Sequence, residues 1–249
     1  MKNYFDFIWA MTEKEIKARY KRAVFGFLWV VLNPLLQMII IGLIFSVFIK
    51  IPNYFLFLFT GLLPWQFFSL SLSKATPSIV YERSLLQKGR FPIEAIPISI
   101  ILANFFNMMI SLVLFLIILI VFQGVTLPQV LFLIPALIWL LVFTLGFSLL
   151  TASLNVKYRD VNFLVQTLLI LWFYATPIVY SLSIVPPKLL PFFSLNPLTS
   201  VFELLHISLL NQGSLNYQIA ISNIVISAAV VLIGLFTFRK EFRTFVDWL

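Results

Sequence analysis

The chain has 249 residues, 61% of them hydrophobic and 10% charged, with a mean hydropathy of +1.05 and a formal net charge of +8. Those values lie far from soluble averages and describe an integral membrane protein. There is no cysteine, which excludes disulfides, thiolate metal sites and Cys nucleophiles. The positive charge does not indicate nucleic-acid binding. Lys and Arg sit at the ends of apolar runs, as in cytoplasmic loops facing anionic lipid headgroups.

The first 22 residues carry Lys14, Lys17, Arg19, Lys21 and Arg22 and lack the apolar core of a cleavable signal. They read as an amphipathic helix (1–22) lying on the membrane. Phe5, Ile8, Trp9, Thr12, Ile16 and Tyr20 fall on one stripe, with Lys14 and Lys21 opposite and Phe7 and Met11 off it. Glu13–Lys17 and Glu15–Arg19 are favourable i,i+4 pairs. Such a helix serves either as a simple positive-inside anchor or as a docking element.

Residues 23–249 read as one transmembrane domain of six spans, at about 24–49, 54–73, 96–122, 130–154, 163–182 and 218–238. No Asp, Glu, Lys or Arg occurs between Glu94 and Lys157, a stretch long enough for more than one crossing of a roughly 30 Å hydrocarbon core. The break from Gln123 to Gln129, with Gly124 and Pro128, divides it into two spans. Of the 17 Lys and Arg, only Lys50 and Lys188 fall outside the amino-terminal segment, the carboxyl-terminal segment and the loops that alternate with them on one side. The positive-inside rule therefore puts both termini in the cytoplasm.

Two inner loops stand out. The first, 76–95, contains Tyr81-Glu82-Arg83 and then Lys88-Gly89-Arg90, mixing both charges with apolar residues as a docking helix would. It reads as a coupling loop or as a solvated connector. The second is Tyr158-Arg159-Asp160, where Asp160 is placed to favour the start of the next helix. On the outer side, 183–213 is apolar yet holds Pro186, Pro187, Pro191 and Pro197, so it reads as a re-entrant or interfacial helical hairpin broken at Asn196-Pro197.

Missing motifs narrow the chemistry. The chain has no G-x-x-x-x-G-K-[ST], no H-E-x-x-H and no carboxylate pair inside a span. His206, the single histidine, follows Glu203 by three residues and could touch it on one helix face, as a proton relay or a structural bond. The spans lack the ionisable residues that ion-driven carriers use. Energy for uphill movement is expected to arrive from another subunit, through the inner loops.

In order along the chain stand Arg19-Tyr20-Lys21-Arg22, Gly26-Phe27-Leu28-Trp29, Asn33-Pro34-Leu35 and Gly61-Leu62-Leu63-Pro64-Trp65 with Phe67-Phe68. Lys88-Gly89-Arg90-Phe91-Pro92, the 154–161 segment, Thr176-Pro177-Ile178-Val179-Tyr180 and Leu195-Asn196-Pro197-Leu198 follow. In this order and register the sequence resembles the membrane subunit of ABC-2-type exporters of cell-surface polysaccharides such as O-antigen, capsule or teichoic acid. The resemblance implies an all-α integral membrane fold in the cytoplasmic (inner) membrane, working as a homodimer with two copies of a separate nucleotide-binding ATPase. ATP and Mg would be bound by that partner, and no cofactor or metal by this chain. The substrate implied is a lipid-linked glycan crossing the membrane through a channel at the dimer axis.

The resemblance also assigns ATPase coupling to Tyr81, Glu82, Arg83, Lys88 and Arg90, with Tyr158, Arg159 and Asp160 near the same interface. Aromatic rings bind sugar CH faces while leaving a polymer free to slide. Candidates for the channel or its gate are Trp65, Phe67 and Phe68 in one span, with Trp172, Phe173, Tyr174 and Tyr180 further on. Relatives often carry an arginine after the outer Asn-Pro, whereas here the stretch reads Glu203-Leu204-Leu205-His206. An ABC-2-type permease for a small drug or lipid remains open on these data, as does a membrane enzyme acting on a polyprenyl lipid.

Overall fold

The protein is described by a computed structural model over residues 2–21, 23–84, 92–123, 131–242 and 245. Its elements are all helical among the described residues: α1 (Lys2–Tyr20), α2 (Trp29–Phe45, entered through a 3-10 turn at Gly26–Leu28) and α3 (Tyr54–Tyr81). Then come α4 (Ala95–Gln123), α5 (Leu133–Lys157), α6 (Asp160–Ala175), α7 (Leu190–Leu195), α8 (Thr199–Leu210) and α9 (Tyr217–Glu241). The expected break at 124–129 lies outside the described residues.

Local chemistry sets the boundaries. Asn53 precedes α3 at φ 52, a left-handed conformation that asparagine tolerates. Asn216 caps α9, its side-chain oxygen accepting from the N–H groups of Gln218 (3.0 Å) and Ile219 (3.3 Å). α6 stops at Ala175 because Thr176 precedes Pro177 and is held extended at φ −110, ψ 141. The same rule breaks the chain at Asn196-Pro197, where the helical pieces 187–195 and 199–210 meet at 104°.

Five of these elements, 26–45 and α3, α4, α5 and α9, are long and apolar enough to cross a membrane, and the bent pair would make a sixth. The expected span 163–182 is shorter than its apolar sequence suggests: α6 has 16 residues, about 24 Å of helix.

α3 is the hub, with 72% of its apolar window buried, and it packs against α2, α4, α5, α6 and α8. Leu58, Leu62, Phe68, Leu72 and Ile79 project into the bundle with less than 2% exposure. Between helices in lipid the hydrophobic effect supplies little, so close packing and polar contacts hold the bundle. α5 and α9 approach backbone to backbone: a Cβ on Gly146 would lie 2.6 Å from Val231 Cα, and one on Gly234 would strike the Gly146 carbonyl. Side-chain bonds add about 0.6 kcal/mol each. They join Thr76 to Thr151 (2.9 Å), Asn104 to Ser71 (3.1 Å) and Trp139 to Ser227 (2.8 Å).

α1 lies along α4 with one edge of its sequence stripe inward, rotated so that Met11 joins Ile8 and Thr12. Ile8, Met11 and Thr12 are buried, and Phe7 packs with Met11 against Ile79, Ile93 and Ile96; Phe5 and Trp9 remain about two-thirds exposed. The reason is a second apolar edge, Phe7–Met11, which the tertiary contact selects. Glu13 pairs with Lys17 as expected, but Arg19 does not turn to Glu15. Its guanidinium donates instead to Asn104 of α4.

Candidate translocation groove and coupling face

On the outside of the bundle α2, α3 and α6 enclose a groove of about 570 Å³. Its polar wall comes from Asn33 and Gln37 of α2, Gln66, Ser69 and Ser73 of α3, and Gln166 of α6. Gln66 Nε2 donates to Gln37 Oε1 at 2.9 Å, and Gln37 in turn leans on Asn33 at 3.5 Å. Trp65, Phe173 and Tyr174 line the same groove, with Trp65 and Phe173 edge to face at 5.5 Å. Carboxamides turned outward from an apolar helix cost several kcal/mol if lipid covers them. This face therefore requires water, a polar ligand or another protein surface.

Helical spacing builds the wall. Asn33 and Gln37 are four apart, and Gln66, Ser69 and Ser73 recur at three and four, so each set lies along one face. That polar periodicity inside apolar spans is present in the sequence, though the pattern of aromatic and charged residues does not reveal it.

A second cavity, about 320 Å³, continues from the groove, since Ser73 and Gln166 line both. It lies among Met11 and Glu15 of α1, Lys74, Pro77 and Tyr81 of α3, and Asn162 of α6, with Glu82 at its edge. Lys14 Nζ meets Glu82 Oε1 at 3.1 Å, joining α1 to the end of α3. Pro77 has no N–H for the Ser73 carbonyl, which leaves that acceptor at the junction of the two cavities. Thus Tyr81 and Glu82 come together with α1 and with Asn162. Tyr158, Arg159 and Asp160 are exposed at the turn just before Asn162, and Arg83 is exposed beyond Glu82. Lys88 and Arg90 lie outside the described residues.

The expected aromatics separate into two groups. Phe68 is fully buried against Trp65, Phe143 and Trp172, and Phe67 is buried against Phe105. Trp172 packs edge-on to Phe143 and Phe147 and its Nε1 donates to Asn196 Oδ1 at 2.8 Å. These three rings hold helices together. Tyr174 is 61% exposed on the groove, and Tyr180 turns back to donate to the Tyr174 carbonyl at 2.8 Å.

The outer pieces are pinned by two asparagines. Asn196 Nδ2 donates to Ala175 O (2.9 Å) and Thr176 Oγ1 (3.0 Å), while its Oδ1 also accepts from Leu198 N (3.1 Å). Asn223 of α9 accepts from Ser200 N and Oγ and donates to the Phe193 and Ser194 carbonyls. His206 does not bond Glu203: its ring stacks on Phe57 at 3.8 Å, and Nε2 faces the Phe57 carbonyl at 3.2 Å. Among the described residues, no three His, Asp or Glu side chains converge as metal ligands.

A membrane protein, helical throughout its described residues, with a polar side groove that continues towards its charged end has the architecture of a transport subunit. The chain belongs to the ABC-2 type transporter family, whose profile matches residues 6–210. It is 40% identical over 197 residues to the O-antigen export system permease protein RfbA of Myxococcus xanthus, covering 77% of this chain and 75% of that protein. To a protein of the same description from Klebsiella pneumoniae it is 34% identical over 248 residues, covering 95% and 92%. A second from Klebsiella pneumoniae is 32% identical over the same length.

Proposed function

We propose that this chain is the membrane-spanning permease subunit of an ATP-driven exporter for a lipid-linked cell-surface polysaccharide, moved from the cytoplasm across the cytoplasmic membrane. Two copies form the passage between them, and ATP and Mg are bound by two copies of a partner ATPase. Both termini lie in the cytoplasm, and the bent α7–α8 pair dips into the outer leaflet. The similar proteins described as O-antigen export permeases support the substrate class. The observation that carries the reading is the groove between α2, α3 and α6, where carboxamides face outward beside Trp65, Phe173 and Tyr174. Amide and hydroxyl groups satisfy sugar hydroxyls, and aromatic rings take the CH faces.

Glu82, tied to α1 through Lys14, receives the movement of the ATPase, and the cavity shared with the groove carries it to the conduit. Tyr81, Arg83, Lys88, Arg90 and the 158–160 turn complete that interface. A small-drug or lipid substrate has no comparable support in the similar proteins.

Because the chain has no cysteine, single substitutions give unique reporters. Gln66→Cys and Tyr174→Cys are expected to react with a membrane-impermeant thiol reagent in the assembled exporter. Ile118→Cys on the exposed apolar face of α4 is expected to stay unreactive. Protection of Gln66→Cys equal to that of Ile118→Cys would place the conduit elsewhere.

A further inference from the structure

A third cavity, about 230 Å³, adjoins the groove at Asn33, Gln66 and Leu70 and extends away from it between α1, α2, α3 and α4. The guanidinium of Arg19 reaches into it and donates to Asn104, yet its Nε has no partner. Asn107 of α4 is 6% exposed, lines the same cavity, and has neither carboxamide atom hydrogen-bonded. Leaving a buried amide unpaired costs about 1–3 kcal/mol, so a ligand or water must answer it. Among the described residues no Asp or Glu lines the cavity, so the Arg19 charge faces only neutral groups there, Asn107 among them.

The cavity is also amphipathic. Leu63, Phe67 and Met108 form an apolar wall, and Trp29, 44% exposed, stands at the rim with Tyr20. Val24, Phe25 and Leu28 nearby in sequence are exposed apolar side chains, surface on which an acyl chain can lie. Arg19 belongs to the basic run Lys17–Arg22, which the charge distribution assigns to the inner face, where anionic lipids concentrate. A guanidinium fork matches phosphate oxygens better than it matches a hydroxyl or a carbonyl.

We propose that this cavity binds the phosphate of an anionic phospholipid of the inner leaflet, held by Arg19 and Asn107, fixing α1 to the bundle through a lipid wedge. The cavity meets the groove at Asn33, Gln66 and Leu70, but Arg19 and Asn107 lie outside the groove's lining, and the inference rests on those two and not on the exported substrate.

The test is native mass spectrometry of the full chain, delipidated in detergent and titrated separately with phosphatidylglycerol, diacylglycerol, undecaprenyl phosphate and inorganic phosphate. We expect saturable binding of phosphatidylglycerol and none of diacylglycerol. In Asn107→Asp and Arg19→Gln, phosphatidylglycerol binding should weaken by about tenfold or more, the loss of one hydrogen bond to a charged group. Equal retention of diacylglycerol, which needs no variant to detect, overturns the proposal. So does unchanged binding of phosphatidylglycerol in folded Asn107→Asp. Displacement of phosphatidylglycerol by undecaprenyl phosphate at lower concentration would assign the site to a carrier lipid, and displacement by inorganic phosphate alone to a free anion; either overturns the phospholipid assignment. Export is not read, so failure here leaves the conduit reading untouched.

Discussion

The indole N–H of Trp172 donates to the carboxamide oxygen of Asn196 at 2.8 Å, tying the last turn of α6 to the break between α7 and α8. The same carboxamide also holds Ala175, Thr176 and Leu198, so one buried side chain satisfies the groups that two proline breaks leave unpaired. The short α6 and the bent outer pair are therefore one mechanical unit.

Replacing Asn196 with Leu strands an indole N–H, a backbone N–H and a carbonyl in the interior. At about 1–3 kcal/mol for each orphaned group, the loss should exceed about 2 kcal/mol. The check is unfolding of the detergent-solubilised chain, where the midpoint of Asn196→Leu should fall well below that of wild type. An unchanged midpoint would mean the network is solvated.

The two groups of aromatic residues should respond differently to truncation. Phe68→Ala removes a fully buried ring and should cost about 3–5 kcal/mol. Tyr174→Ala, exposed on the groove, should change stability by about 0.5 kcal/mol or less while lowering polymer export. Thermal unfolding beside an export assay in reconstituted vesicles separates the two. Full export by Tyr174→Ala would remove that ring from the path.

The Lys14 side chain is 54% exposed and that of Glu82 31%, so solvent screens their ion pair and it adds at most about 1 kcal/mol to stability. Lys14→Glu should leave the fold intact but uncouple ATP hydrolysis from export, and the exchange Lys14→Glu with Glu82→Lys should restore part of it. No recovery in the double variant would show that the two act separately.

Glycines distinguish a rigid crossing from a forgiving one. Gly234→Ala drives a methyl into the Gly146 carbonyl, a backbone atom that cannot swing away, and should abolish the stable fold or cost several kcal/mol. Gly42→Ala meets only the ring of Phe55, which is 38% exposed and able to rotate, and should be tolerated. Expression and monodispersity of the two variants provide the comparison.

Composition alone determined that this chain lives in a membrane, because the absence of charge between Glu94 and Lys157 has no place in water. The proline breaks after Thr176 and Asn196 were equally legible, since Pro excludes the α conformation from the residue before it. Motif order carried the family resemblance. What the linear chain could not decide was direction. Phe67, Phe68, Trp65 and Tyr174 are all aromatic, and only packing sends the first two inward and leaves the last on the groove. The helix period allows α1 two apolar edges, and contact with α4 chose the one through Met11. Arg19 had a ready partner in Glu15 one turn away, yet it reaches Asn104, far off in sequence, because the fold brings that amide closer. Local physics sets which residues can form each element; the faces those elements present are set by neighbours the sequence does not name.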